Sequence, residues 1–263
     1  MTVRDVILTA YAWSAQANCA AWASSYFLDE PLVLAVPGSE GSFVRKGRQW
    51  AASGDAFRAA IQELSPQHKD ITIGRRALVC VSGGWQLVHH ILLNQQERIL
   101  LDACIIQDGP HTKEVDPWVH FAERAAKGEA WFMMAHNIQT IVPYSAKDTA
   151  ERIFRLAAEA HPNGPRYALP DYLARPVIPK DGIKAHVVPV RDATGRLILP
   201  AQTKIWTKDS LDYWENLGDM YRLQYKGQDR PDLAYLAYHV APRLWRLLGE
   251  HWMGAVRKPL PQT

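Results

Sequence analysis

Residues 78–90 read LVCVSGGWQLVHH, an apolar run that stops at Ser82, turns over Gly83-Gly84 and resumes with helical spacing. A serine hydroxyl is a weak nucleophile. It needs an aligned base, and donors waiting for the oxyanion that develops when it attacks a carbonyl. A sharp turn between a strand and a helix meets the first need, provided the residues two before and two after the serine are small. Here those residues are Cys80 and Gly84, so the motif is C-x-S-x-G. The bland alternative is an ordinary strand-to-helix connection.

The other parts of such a site have candidates. VPGSEGS (36–42) is a glycine-rich loop whose Ser39 or Glu40 backbone N–H would join that of Gly83 in an oxyanion hole. Asp108, in IIQDGPH, ends an apolar run before a glycine and is the candidate acid, or simply an aspartate that starts a turn. Asp102, inside the run, is a weaker rival. Two histidines compete as base: His136, at the tip of AWFMMAH, and His239, in AYLAYHVAP near the C-terminus. Each is equally readable as a packed or strand-ending polar residue. His89-His90 lie about two turns past Ser82 and read as a helix surface.

These residues need elements to position them. Residues 2–26, with mixed spacing, read as a helix. PLVLAV (31–36) is a buried strand, and GRQWAASGDAFRAAIQEL (47–64) is helical with a break near Ser53-Gly54. Further strands follow at 75–84, 98–111 and 129–137. Helices follow at 85–95, 116–128 and 145–160, the last opened by a Ser145/Asp148 variant of the capping box. Buried strands alternating with helices predict an α/β fold, a mainly parallel sheet with helices on both faces. In such sheets functional groups gather at the carboxyl ends of the strands, where Ser39, Ser82, Asp108 and His136 all fall.

After 160 the pattern changes to a proline-rich insertion, 161–215, that reads as a lid with Trp206 and Trp214 shaping a pocket. Within it, 185–202 reads as a hairpin. A last strand at 221–227 and a last helix at 231–252, kinked or divided by Pro242, complete a single domain over 1–263.

The composition narrows the function. Hydrophobic residues make up 48% and charged residues 22%, values typical of a soluble globular chain. The net charge of +3 is spread along the sequence with no basic block, which argues against nucleic acid as a partner. No run of roughly 20 apolar residues suggests a membrane span, and the N-terminus makes a poor signal peptide, so a cytoplasmic protein is expected. Cys19, Cys80 and Cys104 lack metal-ligand spacing, and no cofactor or resident metal is expected.

With these residues in view, the chain resembles the α/β-hydrolase superfamily. The nearer likeness is to poorly characterised bacterial and phage hydrolase-like proteins, in which the elbow is followed by a strand ending in Asp-Gly-x-His, here QDGPH (107–111). The resemblance covers about 31–160, and 225–240 thinly. It implies Ser82 as nucleophile, Asp108 as acid and a late histidine as base, acting on a small-molecule or acyl substrate through an acyl-enzyme, as an esterase does. Cys80 departs from the usual glycine, and Leu233 stands after Asp232 where a histidine is expected. Those departures favour the alternative of a non-catalytic binding or structural protein, possibly phage-associated, on a hydrolase scaffold. A third option is a metal-dependent hydrolase using Asp108, His111, His120 and His136.

Overall fold

Seven short, apolar segments carry the fold, and most of them are buried on both faces. The computed structural model of the protein describes residues 2–11, 18–137, 144–174, 211–225 and 240–254. The strands are β1 (Val3–Tyr11), β2 (Leu32–Ala35), β3 (Thr72–Val81), β4 (Ala103–Gln107), β5 (Trp131–Asn137), β6 (Leu211–Leu217) and β7 (Met220–Tyr225). They form one sheet in the order β2-β1-β3-β4-β5-β7-β6. All neighbours are parallel except β6 and β7, which form an antiparallel hairpin at one edge.

Helices cover both faces, as an all-but-parallel sheet requires. On one face lie α2 (Glu40–Ala51), α3 (Ala56–Leu64), α4 (Trp85–Leu93), α6 (Asp116–Ala126) and α7 (Ala146–Ala160). The other face is covered by α1 (Cys19–Tyr26), the short α8 (Asp171–Ala174) and α9 (Ala241–Trp252). A further short helix, α5 (Gln95–Leu100), leads into β4. Alternate residues of one strand enter different cores. Leu78 and Cys80 face α2–α4, whereas Ala77, Val79 and Val81 face α1 and α9. Gly249 lets α9 lie against α1, because a Cβ there would stand 2.2 Å from the Tyr26 carbonyl oxygen.

The start of the chain corrects the expectation of a helix over 2–26. Residues 3–11 are a strand, and only 19–26 are helical. β1 pairs with both β2 and β3, so Val6, Ile7 and Leu8 are all fully buried. A strand buried on both sides loses the alternation that identifies a strand. Its polar residues are spoken for: Asp5 accepts from the Arg75 backbone N–H at 2.7 Å and from its guanidinium at 2.6 Å.

Elsewhere the elements follow the pattern. α2 and α3 are separate helices flanking Ser53-Gly54, and the Ser145 hydroxyl accepts from the Asp148 backbone N–H at 3.1 Å. The last residues of the expected insertion, 211–215, belong to β6, and Trp214 lies in the sheet. Residues 161–174 dock on it: Gly218 N–H donates to the Pro165 carbonyl at 2.7 Å, and the Tyr167 N–H to Asn216 at 3.0 Å. The expected hairpin at 185–202 and Trp206 lie outside the described residues. Pro242 stands in the first turn of α9, where its missing N–H costs nothing. Among the described residues no helix is long and apolar enough to cross a membrane.

Candidate functional site

The first five strands run in the order 2-1-3-4-5, so the sheet reverses direction between β1 and β3. In doubly wound sheets the crevice outside the carboxyl ends of the strands at that reversal is where ligands bind. Ser82 follows β3 directly and opens a single 3-10 turn, Ser82–Gly84, that leads into α4. Its φ is +49°, in the left-handed region that a serine rarely enters and that costs on the order of 1–2 kcal/mol. Gly84 explains how the turn is tolerated: a Cβ there would sit 1.8 Å from the Ala10 carbonyl oxygen of β1. Only glycine lets α4 start this close to the neighbouring strand. Two residues before the serine, the Cys80 side chain is fully buried and points into the α2–α4 core.

Register lines up the other predicted residues. Val81 pairs with Gln107 and Gln107 with Ala135, so Ser82, Asp108 and His136 stand level at the ends of three adjacent strands. Asp108 also has a positive φ, +51°, and its N–H donates to the Ala135 carbonyl at 2.8 Å. Asp102 lies at the opposite end of β4, where it accepts from the Arg76 backbone N–H at 2.7 Å.

Asp108 is not alone. The His111 Nε2 is 4.0 Å from its Oδ2, while the His111 Nδ1 is buried and has no partner among the described residues. Burial pushes the Asp108 carboxyl above the usual carboxylate range, and His111 pulls it partly back. The DGPH spacing was the signal for this pair, yet sequence reasoning used His111 only as a metal ligand.

His136 is fully buried on the α7 side of the sheet. Its Nε2 is 3.3 Å from an Arg222 nitrogen that also reaches Glu151 at 3.1 Å. A guanidinium only donates, so this ring nitrogen is an acceptor already in use. His239 lies outside the described residues.

Ser39 caps α2 and Glu40 is its first residue, so the expected loop is already helical there. Glu40 nonetheless neighbours the turn: a Cβ on Gly83 would be 3.5 Å from the Glu40 Cβ, and Gln86 of α4 donates to the Glu40 carboxylate. The strand beside β3 is β1, however, and the loop that follows it, 12–17, lies outside the described residues.

His89 is also corrected. It is buried rather than on a helix surface; its Nδ1 accepts from the Trp118 indole at 3.2 Å, and its ring stacks on Trp118. The four residues of the metal option do not converge. His120 is exposed on α6 and His136 is held by Arg222. Among the described residues no group of three or more His, Cys, Asp or Glu side chains is placed to hold a metal ion.

Sequence reasoning missed a buried polar chain beneath the same edge, on the α1/α9 face. Gln107 and the Trp245 indole both donate to the Tyr11 hydroxyl, at 3.1 and 3.2 Å. Gln107 read as one more residue of an apolar strand, and nothing in its spacing marked it. No protein-family model matches the chain, and neither a curated protein nor a solved structure is significantly similar to it.

Proposed function

We propose that the protein is a serine hydrolase, an esterase that forms an acyl-enzyme on Ser82. The observation that carries this reading is the backbone at Ser82. A serine with φ of +49° ends the strand beside the reversal point, over a glycine pressed on the next strand. Such a turn presents the hydroxyl at the crevice instead of in a core, and costly backbone of this kind concentrates at functional sites.

In the proposed reaction the Ser82 Oγ attacks the acyl carbon while a histidine takes its proton, and the same histidine later protonates the departing alkoxide. Water then repeats the sequence and frees the acid. Of the three histidines that compete for the role, His111 has the carboxylate beside it. Asp108 would hold its ring and stabilise its charged form. His136 would first have to leave Arg222, and His239 keeps its candidacy from the sequence. The Gly83 N–H and the first amide of α2, at Glu40, are the candidate oxyanion donors, since the opening amides of a helix have no intrahelical acceptor.

A second reading is a non-catalytic binding protein on the same scaffold. One observation favours it: among the described residues, the Ser82 hydroxyl makes no hydrogen bond, so no base is yet in contact with it. Intact-mass spectrometry after incubation with a small fluorophosphonate separates the two. The esterase reading expects one adduct, absent from Ser82→Ala and strongly reduced in His111→Ala. Folded protein that takes no adduct supports the binding reading instead.

A further inference from the structure

Arg243 stands in the first turn of α9 and is only 4% exposed. Its Nη1 is 3.5 Å from the Leu173 carbonyl, the outer limit of a hydrogen bond, and its Nε has no acceptor among the described residues. No carboxylate among the described residues pairs with it. Arg222, the comparably buried arginine of the sheet, has both Glu151 and Glu215. The acid two turns along α9, Glu250, is occupied by Arg246 at 2.8 Å and by the Tyr172 hydroxyl at 2.6 Å.

A guanidinium cannot shed its proton to escape burial, so a buried one without a counter-charge is destabilising unless an anion joins it. Its surroundings suit one. Side chains of an α-helix lean towards its N-terminal end. A planar fork of N–H donors matches a carboxylate or a phosphate. α9 begins at the carboxyl edge of the sheet, because Trp245, four residues on, reaches Tyr11 at the end of β1. On the same edge and face, Gln107 Oε1 and both amide atoms of Asn18, the residue before α1, are buried and lack partners among the described residues. Orphaned buried polar atoms that share one edge and face of the sheet call for an explanation.

We propose that Arg243 holds a small anionic group, a carboxylate or a phosphate, belonging to a ligand seated at the carboxyl edge on the α1/α9 face. The site does not depend on Ser82 being a nucleophile.

Calorimetric titration and thermal unfolding of the full chain test it, with phosphate and acetate compared against chloride at equal ionic strength. Saturable binding is expected, with a rise in Tm of about 5 °C at ~100 times Kd. A response to phosphate alone assigns a phosphoryl group, and one to acetate alone a carboxylate. Arg243→Met should lose the rise, and in chloride its Tm should equal or exceed that of the natural chain. Arg243→Lys, which keeps the charge, should retain a weaker rise and serves if the Met variant does not fold. No saturable binding of either anion to the unmutated protein overturns the proposal, and so does an equal response in Arg243→Met.

Discussion

The two edges of the sheet are built from similar residues and treat them oppositely. At the amino edge, charges are paired. Arg75 grips Asp5, and Arg76 holds both oxygens of Asp55 at 3.0 and 3.1 Å and donates its backbone N–H to Asp102. At the carboxyl edge, Asn18, Gln107, His111 and Arg243 each leave a buried polar atom without a partner among the described residues, and Ser82 and Asp108 sit at positive φ. Trp252 Nε1, at the amino edge, is one exception among the described residues. A native fold leaves few buried polar groups unsatisfied, so their concentration at one edge separates the part that holds the molecule together from the part available for binding.

The contrast predicts that function and stability separate by edge. Ser82→Ala should lower ester hydrolysis by on the order of 10³-fold or more, with the Tm nearly unchanged. A variant that kept full activity would end the esterase reading.

Gly84→Ala has the next largest effect, because it drives a Cβ into the Ala10 carbonyl. It should cost about 3 kcal/mol in denaturant unfolding, as overpacking against rigid backbone does. A loss below about 1 kcal/mol would show that α4 can move away from β1, and that the turn at Ser82 is less constrained than its geometry implies.

The amino edge should be the acid-sensitive one. His251 is stacked on Trp131 near Arg75, and burial followed by the Arg75 charge lowers its pKa to about 4. In the unfolded chain it titrates near 6.5, so below that pH the unfolded state binds the extra proton first. Its contribution is therefore complete above about pH 6.5 and is lost as pH falls towards 4, by at most about 3 kcal/mol. Urea unfolding between pH 7 and 4 checks this, and His251→Phe should flatten the curve in that window.

The smallest of these effects is Arg76→Ala. It should cost about 2 kcal/mol by leaving Asp55 without its bidentate partner, while labelling of Ser82 stays as it was. Lost labelling in a folded Arg76 variant would mean that the edges are coupled after all.

Much of the architecture was legible in the order of the chain. The strands ending at Ser82, Asp108 and His136, the split between α2 and α3, and the Ser145 cap follow from apolar runs, glycines and capping residues, which act over a few positions. β1 was not legible, because Arg4, Asp5 and Thr9 break up its apolar run, while burial on both faces leaves no alternation to mark its period. That one miss displaced another: with β1 unseen, the candidate oxyanion loop was assigned after β2, although β1 is the neighbour of β3.

The sequence by itself determined that a serine would end a buried strand on a turn only small residues fit, and that an aspartate would end the next. Local chemistry suffices for both. Only the tertiary structure decided which partners those residues meet. Pairing between β4 and β5 set Asp108 level with His136, and packing of α7 and β7 turned that histidine towards Arg222, leaving His111 beside the aspartate. Arg243 reads along the chain as one more charge on an amphipathic helix. Its burial without a counter-charge among the described residues arises from how α9 docks beside α8, and no local pattern encodes that.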